Sequence, residues 1–204
     1  MPEVVKVQDN FPFIDWGTEP DPKRLSAAVA KLGEGDPQAM ADLSELADRG
    51  SIASMLYIGR EYCVRGSKIK DLGKAKAWYA RAAATGSLHA MCSLGRLYYG
   101  EGSYPRALEL FRRASESGFG PAMFRMGLMY QYGHGVDRDL DAARRYFEAG
   151  ASTGHVWSSR NLAQLTMMGR FGIARIPAGV WLWLTQLLRI PKIILSEEEG
   201  NDLE

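Results

Sequence analysis

The sequence predicts an all-α fold, a right-handed α-solenoid (an α/α superhelix) of about five antiparallel helix pairs. Three observations carry this reading. Glycines recur at Gly50, Gly86, Gly118 and Gly154, spaced by 36, 32 and 36 residues, and self-similarity at such a period marks stacked units that bury their apolar faces only against their neighbours. Nine residues after each of these glycines stand Gly59, Gly95, Gly127 and Ala163, and twelve after the first three stand Tyr62, Tyr98 and Tyr130. Eleven residues before the last three stand Ala75, Ala107 and Ala143, each followed four residues later by Tyr79, Phe111 or Phe147. Several slots holding one residue type in register are not a composition effect.

Each unit reads as two helices. The first, or A, helices run over Ser51–Tyr62, Leu88–Tyr98 and Ala122–Tyr130. Their apolar residues recur at three and four, as Ile52, Met55, Leu56, Ile58, Gly59 and Tyr62 show. The second, or B, helices run over Asp71–Thr85, Ser103–Ser117 and Asp139–Thr153. Asp71, Ser103 and Asp139 sit four residues before the repeated alanine and serve as N-caps. Gly86, Gly118 and Gly154 then stop the B helices by taking the left-handed conformation. Mid-helix glycines at 59, 95 and 127 each cost about 1 kcal/mol against alanine, a cost that close approach of the paired helix and its aromatic ring explains.

The register extends at both ends. Ala39 lies 36 residues before Ala75, and Asp36-Pro37 supply a cap and a first-turn proline, giving a B helix over Pro37–Asp48 with an A partner over Pro22–Leu32. Ala178 lies 35 after Ala143, with Pro177 at a helix start and Trp181 and Leu182 in the aromatic slots. Ten helices are expected, A helices on the concave side and B helices on the convex side, in units 22–50, 51–86, 87–118, 119–154 and 155–190 within a repeat domain over 22–195. Residues 1–21, with Asn10-Phe-Pro-Phe-Ile-Asp-Trp16, are expected as an extended aromatic segment packed on the solenoid or in a groove of a second copy. The tail 196–204, with five acids, is expected to be disordered.

The strings AMCSLGRLYYGEG (90–102) and AMFRMGLMYQYGHGVDRDLDAARRYFEAGASTG (122–154), with IGREY (58–62) and DLGKAKAWYARAAATG (71–86) before them, resemble the Sel-one-like repeat, a relative of the tetratricopeptide repeat. The resemblance covers roughly Ala39 to Gly154. The third unit keeps the whole pattern, the second shortens its loop to Gly100-Glu101-Gly102-Ser103, and the first writes Cys63-Val64-Arg65-Gly66 where the loop glycines begin. The resemblance implies a non-catalytic adaptor that assembles protein complexes and brings no catalytic residue with it.

Composition bounds the chemistry. With 46% hydrophobic and 24% charged residues in 204, rods, collagen and disorder are excluded. Lys+Arg 25 against Asp+Glu 24 leaves a net charge of +1, so no global field draws nucleic acid, and no nucleic-acid partner is expected. Met1 to Asn10 carries no apolar run of signal-peptide length, which makes the cytoplasm the expected compartment. Cys63 and Cys92 sit on neighbouring A helices about 10 Å out of axial phase at 1.5 Å per residue, so buried thiols are expected there. No phosphate loop, nucleophile elbow or metalloprotease helix is present, and His89, His134 and His155 never fall at metal-ligand spacing. Neither an enzyme, a cofactor nor a metal is expected. Asp137-x-Asp139-x-Asp141 with Glu148 imitates a calcium loop, but Ala142 stands where the tight turn needs glycine.

Counting from the stop glycines, the A-helix slots expected to point away from the core carry Tyr57, Arg60, His89, Arg96, Tyr99, Arg125, Gln131, Arg160, Asn161 and Gln164. A ladder of arginine and tyrosine suits a peptide bearing acids or a free carboxylate, through bidentate guanidinium contacts and low-entropy aromatic area. The alternative is a solvated face with local ion pairs. Between Glu148 and Glu197 there is no acid, while Arg160, Arg170, Arg175, Arg189 and Lys192 accumulate beside Trp157, Phe171, Trp181 and Trp183. The segment 179–195 is apolar nearly all round, yet Pro191, Arg189 and Lys192 deny it the length of a membrane span. Three readings of it remain open: a closing helix, a docking patch of Arg175, Trp181, Trp183, Leu187, Arg189 and Lys192 for a partner or a homodimer, and an interfacial membrane helix. The expected function is protein binding on the concave A-helix face. Two alternatives stand beside it, an inhibitor or immunity-type protein that blocks one toxin or enzyme, and a scaffold peripheral to a membrane.

Overall fold

The computed structural model describes residues 19–64 and 69–167, together with Val180 and Trp183. Among these residues there are nine α-helices and no strand: α1 (Pro22–Glu34), α2 (Gln38–Asp48), α3 (Ile52–Glu61), α4 (Leu72–Ala84), α5 (Leu88–Gly100), α6 (Tyr104–Glu116), α7 (Gly120–Tyr132), α8 (Leu140–Ser152) and α9 (Val156–Met167). Each helix whose bounds the periodicity predicts is found within two residues of them. The expected tenth helix lies outside the described residues except for Val180 and Trp183, which are helical. So do the aromatic N-terminal segment and the acidic tail. The chain forms two compact units, Met1–Leu110 and Phe111–Glu204. In the first, α1 to α5 pack in sequence, each on the next; in the second, α8 packs on α7 and α9, and α7 touches α9.

Side chains and glycines set the helix ends. Asp21, Asp71 and Asp139 accept from Arg24, Lys74 and Ala142 N–H at 3.0, 3.0 and 2.8 Å, and Ser51 and Ser87 do the same for Ser54 and Ala90 at 3.1 and 3.3 Å. Each such cap contributes about 1 kcal/mol. The stop glycines 50, 86, 118 and 154 all have positive φ, from 82° to 97°. The amides of Ser51, Phe119 and His155, one residue beyond, donate to the carbonyls of Leu46, Ala114 and Gly150 at 3.0 to 3.2 Å, the six-to-one bond of a Schellman ending. The calcium imitation resolves into this pattern, since Asp139 is occupied as the α8 cap.

A second backbone bond closes each of the three repeats between Ser51 and Gly154. The N–H of the B-helix cap donates to the carbonyl of the A-helix tyrosine: Asp71 to Tyr62 at 3.0 Å, Ser103 to Tyr98 at 2.9 Å and Asp139 to Tyr130 at 3.0 Å. Eight, four and eight residues stand between the bonded partners. The four residues missing from the middle repeat therefore come wholly out of the stretch between the bonded partners, and the helix pair is closed as in its neighbours.

Between the helices the glycine slots are filled by rings. A Cβ on Gly59 would stand 2.8 Å from Tyr79 Cε1, and one on Gly127 would collide with Phe147. Tyr79 and Phe147 are buried, with Leu43, Leu46, Leu56, Ile58, Ala75 and Ala82 in the first unit and Ala143 and Leu165 in the second. Ahead of α1, buried Glu19 accepts from Ser51 Oγ at 2.6 Å and from the Ala53 amide at 3.2 Å, a second cap on α3 supplied from more than thirty residues away. The cysteines are free, with Cys92 buried; Cys63 is only half-buried, a correction to the expectation, because it lies past the end of α3 where the loop opens to solvent.

These contacts fix opposite signs for glycine substitutions. Gly127→Ala is expected to lower stability by about 1–3 kcal/mol through overpacking against Phe147, despite the helix propensity gained, and Phe147→Leu in the same chain should recover part of the loss. Gly33→Ala, with nothing within 4 Å of the added carbon, should stabilise by up to about 1 kcal/mol. Urea unfolding of the three variants checks both signs.

Candidate functional site

In the first unit the predicted outward residues separate into two groups. Arg60 and Arg96 occupy the same slot of α3 and α5, ten residues after their stop glycines, and both are exposed. Arg60 lies over the Tyr57 ring at 5.2 Å from its centre, and its approach to the adjacent Glu61, 3.9 Å, is too long for a hydrogen bond. Arg96 has no ion pair among the described residues. Both guanidinium groups bear on the buried Tyr79 phenol, which shares a hydrogen bond with the Cys63 thiol. Burial, and then the neighbouring thiol, push Tyr79 up, while Arg96 and Arg60 act in the opposite direction. Burial likewise raises Cys63, so this thiol is not poised as a nucleophile.

The second group is less accessible. Tyr57 is wholly buried at 0% exposure, contrary to the outward slot expected for it. Residues 53–59 of α3 are all buried, because α2 and α4 enclose the helix from both sides and Glu19 covers its start. Tyr57 thus supplies the surface on which Arg60 lies and offers no area of its own. His89 is half-buried, and Tyr99, also half-buried, packs edge-on against Tyr104 at 5.3 Å.

In the second unit Arg125 is half-buried with its guanidinium 5.5 Å from the centre of the Phe124 ring. Gln131 is half-buried and its backbone carbonyl accepts from Arg138 Nε at 3.1 Å. Asn161 is turned onto its own helix, donating to the Trp157 carbonyl at 2.9 Å. Arg160 and Gln164 are exposed, and Arg160 lies over Trp157 at 5.5 Å from the ring centre. Trp183 meets them in a cavity of about 420 Å3 lined by Arg160, Gln164, Met167 and Trp183, which joins residues from the two predicted patches. Arg175, Trp181, Leu187, Arg189 and Lys192 lie outside the described residues. No helix among the described residues is long and apolar enough to cross a membrane.

Two features are missing from the reading of the sequence given above. Met167 continues the exposed row of Trp157, Arg160 and Gln164 by helical spacing and could have been found by it. His155 could not: its Nδ1 accepts from the Ser158 amide at 3.3 Å and so replaces the serine cap at the start of α9, while its ring packs on Phe124 at 5.3 Å.

Antiparallel helix pairs closed at fixed points, with arginines laid on aromatic faces of A and B helices alike, define a helical-repeat protein of the α-solenoid class. The chain belongs to the Sel1 repeat family, whose model matches residues 52–87, 88–119 and 120–155, about half of its length. Among curated relatives, it is 34% identical over 79 residues to the ERAD-associated E3 ubiquitin-protein ligase component HRD3A of Arabidopsis thaliana, covering 37% of this chain and 12% of that one. It is 31% identical over 74 residues to the component HRD3 of Candida glabrata, covering 36% and 9%. The chain thus spans a small part of these relatives. A Sel1 repeat protein from Oxalobacter formigenes superposes with a TM-score of 0.70 at 24% identity, over 90% of this chain and 79% of that one. A protective antigen of uropathogenic Escherichia coli with the same repeat fold gives 0.63 at 25%, over 81% and 36%. These likenesses confirm the solenoid fold.

The His155 cap makes stability depend on pH. Burial first, and then the Arg125 guanidinium, hold the ring below the ordinary imidazole range, and burial does the same for His89. A depressed folded-state value means that the neutral ring stabilises fully above the unfolded value of about 6.5, and that this is lost as pH falls from there through the folded-state value. The thermal midpoint is therefore expected to fall between about pH 7.5 and pH 5. His155→Asn, which keeps a capping acceptor, should flatten part of that fall. A midpoint that rises on acidification would contradict the assignment.

Proposed function

We propose that this chain is a non-catalytic protein-binding module whose A helices hold an acidic segment of a partner protein. The observation that carries the reading is how the arginines are occupied. Each B helix from α4 onward commits one to a carboxylate: Arg81 to Asp48 at 2.8 Å, Arg112 to Glu116 at 3.0 Å and Arg144 to Glu148 at 2.7 Å. On the A helices Arg60 and Arg160 lie over aromatic rings, and Arg96 and Arg160 have no ion pair among the described residues. A guanidinium held by a ring face keeps its N–H edge open for a carboxylate. The relatives whose names make them components of a ubiquitin ligase are in keeping with a role in assembly.

Arg60→Glu with Arg96→Glu should leave the thermal midpoint nearly unchanged, since exposed substitutions typically cost within about 0.5 kcal/mol. The same variant should lose the partner that the unaltered chain captures from a lysate of its source. Capture that survives the substitutions would contradict the reading. One stoichiometric partner held tightly marks an inhibitor, and several weaker ones mark an adaptor.

A further inference from the structure

We infer that the outer face of α9 is a docking site for a linear peptide segment in which an acidic side chain stands between two bulky apolar ones. The inference rests on the protein-binding reading and names the ligand of one surface within it. Trp157, Arg160, Gln164 and Met167 follow one another at helical spacing, within about 80° of the α9 circumference at 100° per residue. Trp157, Met167 and Trp183 are 54%, 38% and 42% exposed. Apolar side chains in such a row, beside a cavity of about 420 Å3, have the size and composition of a binding site for a few side chains.

Charge selects the occupant. Arg160 has no ion pair among the described residues, and the sequence contains no acid from Ala149 to Ser196, so a partner's carboxylate is its complement. Gln164, one turn on, offers a neutral amide to the same group. Order along the helix then decides between an internal acid and a free chain end. Along α9 Arg160 stands between Trp157 on one side and Met167 on the other, and Trp183 lines the cavity with it. A peptide that ended at the arginine would leave one of these uncovered, whereas an acidic side chain within a continuing peptide lets both be filled. From Trp157 to Met167 is about 15 Å at 1.5 Å per residue, the span of four to five extended residues at about 3.3 Å each. The pattern is apolar, any, acidic, any, apolar, with alternate side chains facing the helix.

The test uses the full chain and a phage library of random nonapeptides fused through their C-termini, so that no free carboxylate is displayed. Enriched sequences should carry Asp or Glu between two bulky apolar residues. A fluorescent enriched peptide should weaken by about tenfold or more in Arg160→Gln, and equally when its own acid becomes the amide, as expected for loss of a charge-assisted bidentate contact. Arg113→Glu, at an exposed position of α6, should leave it unchanged. A consensus without an acid, or binding kept in Arg160→Gln, overturns the site. Sedimentation of the chain with phosphatidylserine vesicles that is lost in Trp183→Glu would assign the face to a membrane and overturn it equally. Partner capture that still depends on Arg60 and Arg96 would in those cases leave the broader protein-binding reading standing.

Discussion

The bond from the B-helix cap amide to the A-helix tyrosine carbonyl is the constraint on which the rest of the molecule depends. It ties the end of one helix to the start of the next at Tyr62–Asp71, Tyr98–Ser103 and Tyr130–Asp139, and it leaves the residues between free to vary. With the crossing point set there, a glycine three residues before the tyrosine falls under the B-helix ring, as Gly59 does under Tyr79 and Gly127 under Phe147. Loop closure entropy grows slowly with length, so eight residues and four can serve the same closure. The repeat is thereby defined by two contacts and by no feature of the loop.

Function follows from what those contacts leave outside. The Tyr79 and Phe147 rings are spent on glycine seats, and the B-helix arginines at 81, 112 and 144 are spent on carboxylates. On the A helices arginines rest on aromatic faces at positions 60, 125 and 160. Cation–π contacts contribute about 0.5–1 kcal/mol at exposed sites. They orient a guanidinium without using up its donors. The contrast lies between individual arginines: on α1 Arg24 pairs with Glu45, and on the B helices Arg81 and Arg106 also lie over rings, those of Trp78 and Tyr98.

The helices, their caps and the glycine seats were legible in the sequence because they are local and periodic: Asp71 and Asp139 declare their helices within four residues. The accessibility of the ladder was less so. Counting from Gly50 places Tyr57 outward, but a count along one helix contains no information about α2 and α4 closing over both sides of α3. The Glu19 cap was hidden for a similar reason, since it acts on residues 32 and 34 positions away. Whether an arginine takes a ring or a carboxylate is decided by side-chain geometry, which periodicity does not carry. Gln164 and Trp183, which the sequence assigns to the concave face and to the C-terminal patch, share a cavity with Arg160.

Native-state hydrogen exchange at the amides of Asp71, Ser103 and Asp139 tests the account most directly. All three border loops and would exchange rapidly if the loops governed closure. If one bond closes each repeat, they should show protection close to that of the helix interiors around them, and similar protection to one another across stretches of eight and four residues. Protection at Ser103 alone, with Asp71 and Asp139 exchanging at loop rates, would show that the short loop holds its helix pair and that the bond does not define the repeat.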